Sequence, residues 1–104
     1  MATDVVILNL KGFSSVTDYL LICSAESQRQ VEAVAREVED GLRKEGIRPL
    51  GMEGVNDGRW ALLDFNDVVV HVFHEPIRKF YDLEGLWADA PRTEVKDKPA
   101  KKKQ

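Results

Sequence analysis

Arg59-Trp60-Ala61-Leu62-Leu63-Asp64-Phe65, then Asn66-Asp67, then Val68-Val69-Val70-His71-Val72-Phe73 is the stretch on which the fold turns. Two apolar runs rich in branched and aromatic residues, parted by two turn-favouring residues, predict an antiparallel hairpin. A two-residue loop fixes the register, and the register sorts side chains onto two faces. Phe65 then lies opposite Val68, Leu63 opposite Val70 and Ala61 opposite Val72, an apolar face destined for the core. The other face pairs Asp64 with Val69, Leu62 with His71 and Trp60 with Phe73. It mixes aromatics and aliphatics with a carboxylate and an imidazole. If helices cover the sheet on one side only, this second face is exposed and has the make-up of a protein interface core. If the last helix covers it, Trp60 is simply buried.

Outward from the hairpin, residues 4–10 (DVVILNL) and 18–24 (DYLLICS) read as largely buried strands. Val31, Val34, Ala35, Val38 and Leu42 form one apolar stripe at helical spacing, predicting a helix over 28–45. Ser27 with Gln30 fits a capping box at its start, and Gly46 stops it. Residues 47–53 make a weaker strand, because Pro49 cannot donate to a ladder. Asn56-Asp57-Gly58 marks a turn. Residues 75–87 (EPIRKFYDLEGLW) predict a second helix, with Pro76 acceptable at its start and Gly85 as an interruption. The expected fold is α/β, a single domain with a five-stranded mixed sheet and flanking helices.

The 104 residues suffice for one core, and 32% charged against 43% hydrophobic residues fits a soluble globular chain. No apolar run approaches the roughly 18 residues of a membrane span, and Met1-Ala2-Thr3-Asp4 lacks the features of a signal peptide, so a cytoplasmic location is expected. Residues 1–90 hold nine Lys/Arg against sixteen Asp/Glu, whereas residues 91–104 hold six against two. The chain thus divides into an acidic domain, 1–90, and a basic tail, 91–104, which without apolar periodicity is expected to be disordered. An acidic body argues against extensive DNA or RNA phosphate binding and for a basic protein partner. Lys101-Lys102-Lys103 could touch RNA or any other polyanion, although such a run is more often a solvated tail.

Signals of catalysis are weak. One cysteine, Cys23, excludes an internal disulfide and a cysteine-rich zinc site. His71 and His74 form H-x-x-H, but residues three apart on a strand point to opposite faces, so no metal site is expected. Asp64 and Asp67 read as turn residues rather than metal ligands. Ser14, Ser15, Ser24 and Ser27 lack a nucleophile motif, and no phosphate-binding glycine loop occurs. No catalytic residue and no cofactor are expected.

Three segments carry a resemblance. The first runs from Ser14-Ser15-Val16-Thr17-Asp18-Tyr19 through Ser27-Gln28-Arg29-Gln30-Val31. The second runs from Glu53-Gly54 through Gly58-Arg59-Trp60, Leu62-Leu63-Asp64 and Asp67-Val68-Val69-Val70-His71-Val72-Phe73. The third comprises Arg78, Phe80-Tyr81-Asp82-Leu83-Glu84 and Leu86-Trp87. Taken in order, over about residues 4–89, they resemble the ribosome-silencing factor family, also called RsfS or Iojap. Family members usually begin with a helix ahead of the first strand, which this sequence enters almost at once. Ala25-Glu26 stands where Gly-Thr is common, and Asn66 where Gly is common.

The resemblance implies a nucleotidyltransferase-like fold without that activity. It also implies binding to large-subunit ribosomal protein L-fourteen, steric exclusion of the small subunit and repression of translation. The partner-binding patch is then expected to be Trp60, Leu62, Asp64, His71 and Phe73, with Trp60 as anchor and Asp64 selecting a basic partner. Two readings compete. A homodimer in isolation could use the same face. A nucleotidyltransferase-like enzyme would need a carboxylate pair for two metal ions, and the usual D-x-D after a Gly-Ser turn is missing.

Overall fold

The computed structural model describes residues 2–95. Along the chain run β1 (Thr3–Asn9), β2 (Tyr19–Ala25), α1 (Gln28–Lys44), β3 (Gly51–Glu53), β4 (Trp60–Asp64), β5 (Val68–His74), α2 (Glu75–Tyr81), a 3₁₀ helix (Leu83–Trp87) and β6 (Arg92–Val95). The sheet is mixed, in the order β3-β4-β5-β2-β1-β6. β2 and β5 are parallel at its centre, and every other pairing is antiparallel.

The hairpin register is the one that the two-residue loop demands. Trp60 pairs with Phe73, Ala61 with Val72, Leu62 with His71, Leu63 with Val70 and Asp64 with Val69. The Phe65 amide donates to the Val68 carbonyl at 2.9 Å, and Asn66 takes the positive φ of 76° that the turn requires. The carbonyl of Asp67 then accepts from Thr17 Oγ1 and from the amides of Asp18 and Tyr19, at 2.8, 3.1 and 3.0 Å. The hairpin loop is thereby tied to the start of β2.

α1 begins where Ser27 Oγ accepts from the Gln30 amide at 3.1 Å. Gln30 Oε1 reaches back one residue further than a capping box, to the Glu26 amide at 3.2 Å. The helix ends as the Ile47 amide bonds the Leu42 carbonyl across Gly46, whose φ is 81°. Its apolar stripe, Val31, Val34 and Ala35, packs on Cys23, Ala61, Leu63, Val70 and Val72 to form one core layer. The opposite face of the sheet holds a second layer of Val6, Leu8, Leu20, Ile22, Val69 and Phe73, covered by Ile77, Leu83 and Trp87. β5 is buried at five consecutive positions, as expected of a strand covered on both faces.

Four expectations need correction. The sheet has six strands, not five, because residues 92–95 pair with β1, from Leu8 opposite Arg92 to Val5 opposite Val95. All four β6 residues are exposed, so backbone pairing makes this strand and no apolar pattern announces it. Residues 96–104, including Lys101-Lys102-Lys103 and the rest of the expected disordered tail, lie outside the described residues. β3 spans only 51–53, since the chain regains the sheet only after Pro49, where the Leu50 amide bonds the Asp64 carbonyl at 2.7 Å. The expected helix over 75–87 is broken at Asp82, which is left-handed at φ 48°. Fourth, the second sheet face is not left open, because α2 and the 3₁₀ helix return across it.

Leu63→Ala is expected to cost about 2–5 kcal/mol, because this fully buried side chain fills the layer under α1; urea unfolding measures it. Ending the chain at Pro91 removes β6 and is expected to lower Tm by about 5 °C, the shift produced by roughly 1 kcal/mol in a domain of this size. A calorimetric scan reads that shift, and an unchanged Tm would mean that β6 adds nothing to stability.

Candidate protein-interaction site

Trp60 is placed at the start of β4 by a close backbone approach. A Cβ on Gly54, where φ is 73°, would collide with the Trp60 carbonyl, so only glycine lets the preceding turn lie there. From that position the Trp60 ring stacks on Phe73 with centroids 4.8 Å apart, and lies 5.0 Å from Tyr81. Its Nε1–H donates to His71 Nδ1 at 2.9 Å. Trp60 is therefore wedged between the sheet and the last residue of α2, with part of its surface in solvent.

All five residues expected at the partner-binding face share that face. They do not share its exposure. Trp60, Leu62 and Asp64 are half-buried. Phe73 is fully buried and His71 is only 6% exposed. The expectation that Phe73 and His71 belong to the contact surface is thus corrected: Phe73 lies beneath Trp60 in the layer covered by Ile77, Leu83 and Trp87. Asp64 has one carboxylate oxygen already engaged, accepting from the Asn66 amide at 2.8 Å. It braces the hairpin turn as well as presenting charge.

The largest apolar exposure near this face lies on residues that the strand pattern did not single out. Phe80 is 79% exposed, Leu86 73% and Tyr81 54%. Phe80 meets Tyr81 edge to face at 5.1 Å, so the exposed aromatics continue into the half-buried Trp60. The sequence carried no signal for them. Ile77, Phe80 and Tyr81 are spaced i, i+3 and i+4 and so point to one side of a helix, yet of the three it is Ile77 that packs on the layer beneath, while Phe80 and Tyr81 stand exposed.

The remaining chemistry is structural. Cys23 is 2% exposed, and burial pushes its thiol up to about 11, slightly offset by the Arg78 charge. Arg78 holds Glu84 below the usual carboxylate range through a bidentate pair, with Nε and Nη2 each 3.0 Å from a Glu84 oxygen. Arg59 pairs with Asp57 at 2.8 Å beside the site. Among the described residues no group of three or more His, Cys, Asp or Glu converges as metal ligands do.

Comparison with known proteins gives a consistent picture. The family model described as "Ribosomal silencing factor during starvation" matches residues 1–104. The chain is similar to the ribosomal silencing factor RsfS of Bacillus subtilis, with 48% identity over 94 residues, covering 90% of this chain and 80% of that one. Among solved structures, a Bacillus halodurans protein superposes with a TM-score of 0.79 at 45% identity, covering 90% of this chain and 85% of that one. A Chromobacterium violaceum protein does so with 0.82 at 32% identity, covering 92% and 80%.

Burial of His71, which accepts the indole hydrogen bond of Trp60, makes stability depend on pH. Nδ1 can accept only when unprotonated, and burial lowers the His71 pKa from 6.5 to about 4. Between those values the unfolded chain binds a proton that the folded chain refuses, so stability falls as pH falls from 6.5 toward 4. The full effect is of the order of 3 kcal/mol. Urea midpoints between pH 7 and 4 should show this decline, and His71→Gln should flatten it; an equal slope in both proteins would exclude His71 as its source.

Proposed function

Because the chain belongs to the ribosomal silencing factor family, we propose that it binds the large ribosomal subunit through protein L-fourteen and sterically blocks association with the small subunit, so repressing translation. The observation that carries this reading is the exposed aromatic surface of Phe80 and Tyr81 above Trp60, with Leu86 exposed on the following 3₁₀ helix. Aromatics that are rigid and only partly covered suit the centre of an interface. Leu62 and Asp64 extend the surface along β4, and the acidic domain supplies the charge that draws in a basic ribosomal protein.

The work is steric. A domain with a radius of gyration of 13.6 Å, held where the subunits meet, needs neither turnover nor a cofactor. On this reading the protein is a non-enzymatic regulator acting in the cytoplasm. Its fold is kin to nucleotidyltransferases without their chemistry. His71 and Phe73 serve from below, by holding the Trp60 ring at its angle.

Phe80→Ala and Leu86→Ala are each expected to weaken co-sedimentation with the large subunit about thirtyfold, the equivalent of 2 kcal/mol at an interface hot spot. Neither should move Tm by more than a degree or two, since both side chains stand in solvent. Trp60→Ala should lose both binding and stability, because its ring is packed as well as presented. Binding undiminished in all three variants would place the ribosome contact elsewhere. If light scattering instead shows a homodimer that the isolated ribosomal protein leaves unchanged, the aromatic surface serves self-association.

A further inference from the structure

Seven residues make up α2, and none of them is buried. Isolated helices of this length are unstable in water, so its orientation must come from outside itself. Ile77 supplies one apolar contact with the sheet. Tyr81 leans on the Trp60 ring, and Arg78 adds the polar hold, through four hydrogen bonds in three directions. Nε and Nη2 grip both oxygens of Glu84 on the 3₁₀ helix, and Nη1 donates to the Asp4 carbonyl of β1 at 2.7 Å and to Ser24 Oγ of β2 at 2.8 Å. The pair is well shielded, with side chains 11% and 17% exposed, and Arg92 of β6 approaches Glu84 at 3.3 Å.

The backbone is shaped around this guanidinium. Three described non-glycine residues have positive φ, and two of them flank it. Asp4, at φ 50°, sits in the irregular step of β1 between Thr3 and Val6, where the pairing with β2 shifts register. Asp82, at φ 48°, makes the bend that lets Glu84 turn back toward Arg78. The Asp82 carboxylate lies against Gly85, where a side chain would have to push it aside. Left-handed aspartates are tolerated but costly. Two of them beside one bidentate pair mark a geometry that the fold maintains against local preference.

We infer that Arg78 is a positioning residue for partner binding: with Glu84 it clasps α2 and the 3₁₀ helix to β1 and β2, and so sets the angle at which Phe80, Tyr81 and Leu86 are presented. This rests on the reading of that surface as the ribosome contact. Arg78 and Glu84 are themselves largely shielded. Their effect on affinity is transmitted through the attitude of the two short helices.

Arg78→Gln and Glu84→Gln in the full chain test the clasp, with three readouts: hydrogen exchange of the amides in 75–87, the near-ultraviolet dichroism of the Trp60–Tyr81 contact, and co-sedimentation with large subunits. The expected result is exchange at least tenfold faster in 75–87 with β4 and β5 unchanged, an altered aromatic spectrum, and binding weakened at least tenfold. The double variant should be no more than about threefold worse than either single one, since both break the same contact. Arg78→Lys keeps the charge with a single-point donor, guards against misfolding of the Gln variant, and should recover part of the binding. Native exchange in 75–87 in the variants would overturn the clasp. Native binding despite fast exchange would overturn its role in presentation. If the unaltered chain fails to sediment with the large subunit, the ribosome assignment falls instead, while exchange and dichroism still decide whether Arg78 sets the helices.

Discussion

One carbonyl oxygen, that of Asp67, is where the two halves of the chain are joined. It accepts from the Thr17 hydroxyl and from the backbone amides of Asp18 and Tyr19. Since Asp67 ends the hairpin loop and Tyr19 opens β2, this junction sets Tyr19 opposite Val68 and hence all seven partners of the central parallel pair. A shift of one residue there would exchange the two faces of β5 and scatter both core layers. The Ser14–Tyr19 segment, which looks on paper like a row of nucleophiles, is thus a loop shaped to deliver donors. Ser14 Oγ accepts from the Val16 amide, and Thr17 bridges to the hairpin.

What the sequence made legible follows from which forces leave a pattern. Burial on one face leaves a period, so the β4–β5 register and α1 could be read from residues 31–42 and 59–73. Backbone pairing on an exposed edge leaves none. Arg92-Thr93-Glu94-Val95 has no side chain in the core, and only the free edge of β1 makes it a strand. The break in 75–87 was equally hidden, since Gly85 looks like the weak point while the left-handed residue is Asp82. For the candidate site, alternation put Trp60, Leu62, Asp64, His71 and Phe73 on one face but could not say what lay over it. The exposure expected for Phe73 and His71 passed to Phe80, Tyr81 and Leu86, because the two short helices cover the sheet and carry the surface outward.

The arrangement separates two demands that conflict in a small domain. A binding surface wants aromatics in water, and a core wants them dry. Here Phe73 and His71 are dry, Phe80 and Tyr81 stand in water as the proposed contact surface requires, and Trp60 spans both through its stack and its indole hydrogen bond. The outer aromatics lean on the inner ones, Phe80 edge to face on Tyr81 and Tyr81 on Trp60.

The single thiol of the chain lies sealed in the layer beneath α1, and at neutral pH almost none of it ionises. Nucleophilic attack by sulfur, oxidation to a sulfenic acid and exchange with glutathione all begin from an accessible thiolate. With Cys23 as its single cysteine, the protein offers oxidants no accessible thiolate: it cannot be crosslinked to a second copy through a disulfide or capped by a small thiol while folded.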